Sequence, residues 1–261
     1  MIKIANLPTI APKELRKKQA KKIVAKRRLR IAELHHQLIA EGKHSLLVVF
    51  QGMDGSGKDG ATRNVFGACP PFGINTYSFK KPTEEEFAHD FLWRVHKQVP
   101  RKGQITIFNR SHYEDILIQR VHGWITEEHV KKRMEAINMF EDLLQFDNNT
   151  VILKFFLNIS FEQQEIELQQ RLDDPEKYWK HNDGDWKERQ YWDKYMTCYQ
   201  DVLNWSTTPW HVIPVDQRWY RDYVMTEVVV DALEKLNMKY PELIHQPPNP
   251  PITKSTNPPI N

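Results

Sequence analysis

The stretch Ser45-Leu46-Leu47-Val48-Val49-Phe50-Gln51-Gly52-Met53-Asp54-Gly55-Ser56-Gly57-Lys58 decides the fold. Its first half is a short, continuous apolar run of the kind found in parallel strands buried on both faces. Its second half fits the G-x-x-x-x-G-K part of a phosphate-binding loop, and Asp59 to Cys69 then reads as a helix. Strand, loop and helix in that order give the match its weight. Gly52, Gly55 and Gly57, with Ser56 among them, let successive backbone N–H groups turn inward as an anion nest, and the following helix adds its positive end. Lys58 supplies a point charge for a phosphoryl group. The residue after the lysine is usually Ser or Thr, whose hydroxyl binds Mg²⁺; here it is Asp59, so a metal must be held differently. Asp54, inside the loop, is a hard-oxygen ligand for Mg²⁺ and can also orient an acceptor oxygen; a turn-forming aspartate is the plainer alternative.

Outward from this loop, apolar strands and helical patterns alternate. Strands are expected at Asn75 to Phe79, Gln104 to Phe108, Val151 to Leu157 and Trp210 to Pro214. Thr83-Glu84-Glu85-Glu86 reads as a capping box opening a helix that carries Phe87, Phe91 and Val95. Further helices are expected from Thr126 to about Phe146, after the cap formed by Ser160 and Gln163, through a Trp- and Tyr-rich segment to about Trp205, and from Tyr220 to about Leu236. The order predicts an α/β fold: a mostly parallel five-stranded sheet with helices on both faces. Residues 45–240 form the kinase-like domain on this reading, with a lid at about 171–190, where Pro175, Gly184 and several lysines break the pattern. Residues 241–261 form a proline-rich, extended tail.

Residues 1–44 form a basic helical extension that Gly42 ends. Its cations, from Lys13 to Arg30, crowd a segment in which Ile23, Val24, Ile31, Leu34 and Leu38 recur at helical spacing. Two readings stay open for it: a solvated charged face on a packed helix, or a docking surface for a polyanion. The whole chain carries a net charge of only +3, which does not mark it as a nucleic-acid binder. No apolar run approaches the roughly 20 residues of a membrane span, and the N-terminus lacks a secretory apolar core, so a cytoplasmic protein is expected. The two cysteines, Cys69 and Cys198, are too few for a disulfide framework and read as buried free thiols.

A second polar constellation follows the strand at Gln104 to Phe108: Asn109-Arg110-Ser111-His112-Tyr113-Glu114-Asp115. Ligands bind at the carboxyl ends of strands in open parallel sheets, so these residues should face the site. Asn109 offers a neutral oxygen to a metal or orients another ligand, Arg110 can clamp a phosphate bidentately, and Glu114 is placed to read an acceptor nucleotide or to bind metal. A helix start rich in caps and surface ions is the alternative. The lid segment Arg171 to Lys180 adds Arg171, Lys177 and Lys180, suited to closing a charge clamp around a transferred group.

With these segments together, the chain closely resembles the polyphosphate kinase 2 family, which moves phosphoryl groups between inorganic polyphosphate and nucleotides. The resemblance covers roughly residues 30 to 240. It rests on Gly52 to Gly60, Asp90-Phe91-Leu92-Trp93-Arg94-Val95-His96, Pro100 to Gly103, Ile107 to Asp115 and Arg171 to Lys180. It implies a P-loop kinase fold with a helical lid over a basic polyphosphate channel, Mg²⁺ as cofactor and a homo-oligomer. Carried onto this sequence, it makes Asp54, Lys58, Arg110 and Arg171 catalytic and puts Arg94 among the phosphate- or nucleotide-binding residues. The branch that prefers ADP commonly has Asp where Asn109 stands and Asn where Glu114 stands. The present residues look like the branches that accept AMP, so AMP, with ADP, is the expected acceptor and ATP a product. Lys80, Lys81, Lys177 and Lys180 are candidates for the polyphosphate path.

Two other functions remain open at this level. One keeps the fold and changes the donor, giving an ATP-dependent nucleotide or small-molecule kinase. The other is a nucleic-acid-binding protein that uses the basic first helix, a reading that leaves the cluster Asn109 to Asp115 without a task.

Overall fold

The run Ser45–Gln51 forms strand β1, with every residue buried because strands pair with it on both sides. That explains why it reads as an unbroken apolar run, since neither face meets water. The computed structural model describes residues 1–243. Ahead of β1 lies helix α1 (Lys17–Glu41), which Gly42 ends in the left-handed conformation, φ 63°. After it come α2 (Lys58–Phe66), β2 (Ile74–Ser78), α3 (Glu84–Phe87), α4 (Trp93–His96) and β3 (Ile105–Asn109). Next are α5 (Glu114–Val121), α6 (Glu127–Asn148), β4 (Thr150–Asn158) and α7 (Phe161–Asp173). A 3-10 stretch (Pro175–Lys180), α8 (Asp183–Arg189), α9 (Trp192–Trp205), β5 (Trp210–Pro214) and α10 (Arg218–Glu234) complete the described chain.

The five strands are all parallel, in the order β2-β3-β1-β4-β5. Helices α1, α2 and α10 pack together, as do α5, α6 and α9, and the two groups cover the sheet. This is an open, parallel α/β sheet with helices on both faces, as the alternation of elements predicts. The chain order reverses at β1, whose carboxyl end lies beside that of β3: Phe50 pairs in register with Asn109. Loops leaving those two strands must therefore share one crevice.

The first helix belongs to the packed body. Ile31, Leu34 and Leu38 are buried in the common core, Arg27 pairs with Glu227 and Arg30 with Glu234 (2.9 Å) across the α1–α10 contact. Ser160 caps α7 by accepting from Gln163 N–H (3.1 Å). Cys69 is half-buried and Cys198 buried, both free. No described helix is long and apolar enough to cross a membrane.

One expected helix is broken. The Thr83 capping box forms with both its hydrogen bonds, but α3 ends at Phe87. The Asp90 carboxylate then accepts from Leu92 N–H (2.9 Å), a local bond that competes with helix continuation and restarts the chain as α4. Val95 reaches the core while Phe87 stays exposed. The lid stretch expected to be irregular contains ordered short turns, the 3-10 stretch and α8. The tail reading falls, from residue 244 on, outside the described residues.

Candidate active site

The loop between β1 and α2 takes its shape from backbone conditions that only glycine meets easily. At Gly57, φ is 86°, and a Cβ there would sit 2.6 Å from Arg221 Nη1. At Gly52 a Cβ would lie 2.8 Å from the Leu157 carbonyl of neighbouring β4. Such approaches let the chain wrap tightly around an anion. Lys58, at the start of α2, folds back over the loop and donates to the carbonyls of Gly52 (2.8 Å) and Met53 (3.2 Å). Its ammonium lies 4.0 Å from Asp54 Oδ1. The Ser56 hydroxyl is buried and has no hydrogen-bond partner among the described residues.

Strand β3 delivers the second half of the site. Arg110 N–H donates to the Phe50 carbonyl (3.0 Å), which stitches the two strand ends together, and Arg110 adopts φ 60°. A left-handed arginine is a strained conformation that persists where surrounding structure enforces it, and such positions gather at active sites. Its guanidinium forms an ion pair with Asp54. Asn109 donates to Asp59, and Lys180 of the lid reaches Asp59 Oδ2 at 3.4 Å. Arg171 pairs with Asp185 and donates to the Lys180 carbonyl (3.1 Å), so the lid holds this arginine from within.

Charge and burial set the protonation states. Burial opposes ionisation of Asp54, yet the cations of Arg110, Lys58 and Arg171 hold its carboxyl below the ordinary carboxylate range. Burial lowers Lys58 below the ordinary lysine value, with Asp54 pulling the other way. Glu114 is raised by burial, against the pull of Arg110 and Lys58. Burial, then the Glu114 charge, push the Tyr199 phenol well above its usual value, so it remains a neutral hydroxyl.

Asp54, Lys58, Arg110, Arg171 and Lys180 border an open cavity of about 1060 Å³ lined by ten Lys and Arg side chains against four carboxylates. Such a surplus suits a ligand with several negative charges in a row. A comparison with known families gives a match to Polyphosphate kinase 2 (PPK2) over residues 14–241. The chain belongs to the polyphosphate kinase 2 family.

Relatives of this family member fit that assignment. It is 48% identical over 216 residues to the AMP/ADP-polyphosphate phosphotransferase of Meiothermus ruber, covering 82% of this chain and 80% of that one. It is 38% identical to the ADP-polyphosphate phosphotransferase of Rhodopseudomonas palustris, covering 82% and 78%. The crystal structure of Polyphosphate Kinase 2 from Arthrobacter aurescens TC1 superposes with TM-score 0.89 at 41% identity, covering 93% of this chain and 88% of that one.

Of the residues singled out from the sequence, Asp54, Gly55, Gly57, Lys58, Asp59, Lys81, Asn109, Arg110, Arg171, Lys177 and Lys180 line the polyphosphate kinase 2 cavity. Four lie outside the lining. Gly52 and Ser56 form the inner wall of the loop. Glu114 sits behind Arg110 at the head of α5, where the Gln51 amide can donate to it at 2.9 Å. Arg94 is buried, bound to Asp115 (3.2 Å), Glu86 (3.6 Å) and the Lys80 carbonyl (2.9 Å), and so props the segment that presents Lys80 and Lys81. Sequence reasoning missed Arg63, Arg218 and Arg221. Arg221 is 1% exposed and donates to the Gly57 carbonyl (2.9 Å) from α10, bracing the loop from below. Its spacing from Arg218 puts both on one face of a helix, but nothing local says that this face meets a loop 164 residues away.

Proposed function

We propose that the protein transfers phosphoryl groups reversibly from inorganic polyphosphate to AMP and ADP, with Mg²⁺ as cofactor and ATP as the final product. The observation that carries this reading is the cationic surplus in a cavity framed by a phosphate loop, Arg110 and the lid. Names of the Meiothermus ruber and Rhodopseudomonas palustris relatives support the same donor and acceptors.

The chemistry asks mainly for position and charge. A terminal phosphate oxygen of AMP or ADP is already ionised near neutral pH, so no general base is required. That oxygen bonds to the terminal phosphorus of the polyphosphate as the anhydride bond beyond it breaks, leaving a donor shorter by one unit. Lys58, Arg110 and Arg171 neutralise the oxygens of the group in transit, while the backbone N–H groups of the loop hold the donor. Arg110 also fixes Asp54 as an ionised carboxylate beside the reacting atoms.

Among the described residues, no group of three or more His, Cys, Asp or Glu side chains would hold a metal unaided. That fits Mg²⁺, which one or two carboxylates bind together with substrate phosphates. Asp54 and Asn109 would hold it, and when bound it would supply charge neutralisation on the phosphates. The family resemblance further supports a homo-oligomer, and a polyphosphate donor fits a cytoplasmic setting.

The test uses AMP and ADP with Mg²⁺ and long-chain polyphosphate as sole donor, resolved by nucleotide chromatography, with Asp54→Asn as the inactive control. AMP should yield ADP and ATP. Reaction of ADP alone defeats the assignment of AMP as acceptor, and transfer only from ATP defeats the polyphosphate donor.

A further inference from the structure

The first half of α1 remains outside the site described so far. Its ion pairs with α10 use Arg27 and Arg30, whereas Lys17 and Lys21 are exposed and form no ion pair among the described residues. Both lysines line a second groove of about 790 Å³, between the start of α1, α7 and the start of α10. This groove shares Asn64, Glu167 and Arg218 with the catalytic cavity, so the two are continuous. Its carboxylates are engaged: Glu167 pairs with Arg218, Asp216 accepts from Ser160 N–H (2.8 Å), and Asp222 binds Arg221 (2.7 Å) and Asn64 (2.8 Å). Asp216, bound by a neutral N–H, keeps its charge, so the groove has a positive excess of one unit, supplied by Lys17 and Lys21.

We propose that this groove is an outer subsite for the distal part of a long polyphosphate donor, whose chain leaves the catalytic cavity past Arg218 and runs onto Lys17 and Lys21. The proposal rests on the polyphosphate reading above and adds a basis for donor-length preference. A chain of phosphates carries repeated charge at every unit, so each part that extends beyond the cavity gains from cations placed along its path. A short donor ends inside the cavity and never meets them. A single-stranded nucleic acid fits less well, because such ligands are gripped by successive aromatic platforms and the groove presents only Trp219.

The test is the double variant Lys17→Glu, Lys21→Glu in the full chain, assayed with hexaphosphate and with long-chain polyphosphate against wild type. With the long donor, KM should rise about tenfold at nearly constant kcat, the scale of two weakened surface charge contacts, and its dependence on salt should flatten. With hexaphosphate both constants should stay unchanged. Lys17→Ala, Lys21→Ala should move the long-donor KM in the same direction by a smaller factor, about threefold. Equal losses on both donors, or none on either, overturn the outer subsite. So does a variant that weakens binding of single-stranded RNA while leaving polyphosphate kinetics untouched. A wild type that uses neither donor removes the underlying donor assignment as well, and the wild-type arm reports that failure separately.

Discussion

Two carboxylate clusters in this protein are built from nearly the same parts and behave differently. In one, Glu141 of α6 and Lys154 of β4 are fully buried, joined at 2.7 Å, and closed by the Tyr113 hydroxyl, which donates to Glu141 (2.8 Å) and accepts from Lys154 (2.6 Å). In the other, Asp54 meets Arg110 and Lys58 at the floor of an open cavity. Both carboxyls are held below the ordinary range in spite of burial. The sealed cluster joins one lysine to one carboxylate, with the buried His112 ring 3.5 Å from the same Glu141, so its attraction is used internally. The open cluster has more cations than anions, and that imbalance is what a polyanionic substrate can complete. The two also communicate: Tyr113, locked in the sealed cluster, lies three residues after Arg110 and holds the turn that presents it.

The largest effect should come from breaking the sealed pair. Glu141→Gln leaves the Lys154 ammonium buried without its counter-charge and should cost about 3–5 kcal/mol in urea unfolding. Replacing both partners with apolar groups, Glu141→Leu with Lys154→Met, should recover most of that loss, since the cost lies in the orphaned charge. A single variant that melts like wild type would show that the cluster is not sealed. The open cluster should answer the other way. Lys58→Ala should lower turnover by at least about 100-fold, the scale for losing one preorganised charge-stabilising group, with little change in melting temperature. A folded Lys58→Ala protein with near-normal turnover would remove this lysine from the reaction.

Gly57→Ala tests the brace between loop and body. The added methyl would enter a position 2.6 Å from Arg221 Nη1 on a backbone at φ 86°. Strain of this kind costs about 1–3 kcal/mol. Circular dichroism melts should register that loss, and the displaced loop should reduce turnover beyond what the stability change explains. A stable, fully active Gly57→Ala protein would mean that Arg221 yields freely and does not brace the loop.

The difference between the clusters also marks what the sequence reveals. The open site announces itself locally: Gly52 to Lys58 and Asn109 to Glu114 are contiguous runs at strand ends, and their chemistry follows from spacing within each run. That the sheet is parallel follows from the alternation of apolar runs and helical patterns, whereas the order of its strands comes only from the fold. The sealed cluster has no such signature. Lys154 is a lone cation inside the apolar run of β4, and its partner Glu141 is an ordinary helical glutamate; only the fold joins them. Arg221 is hidden for the same reason, being useful through a contact made across 164 residues. The break after Phe87 is hard to read because the capping box is a strong start signal, while the bond that Asp90 accepts from Leu92 N–H is a weak stop. Arg94, read among the ligand-binding residues, lies with Asp115 because burial rewards a paired guanidinium over one left facing the cavity.

The smallest expected effect is the one that most sharpens the contrast. Each depressed carboxyl contributes stability that is fully present above its unfolded pKa, about 4, and is lost as pH falls through the lower folded value. The sign is the same in both clusters, but the sizes differ. The Arg110 side chain is 38% exposed, so solvent screens its pairing with Asp54 and the stability at stake is under about 1 kcal/mol. Asp54→Asn should therefore melt almost as wild type does from neutral pH down to the acid limb, while losing nearly all turnover. Glu141→Gln should instead lose much of its stability at neutral pH and show a shallower further decline on acidification, because the group whose protonation drives part of that decline is gone. Melting temperature measured against pH for both variants decides the matter. If Asp54→Asn flattens the acid limb as strongly as Glu141→Gln does, Asp54 stabilises the fold as a sealed pair does, and the distinction between a charge held for the fold and one held for a ligand fails.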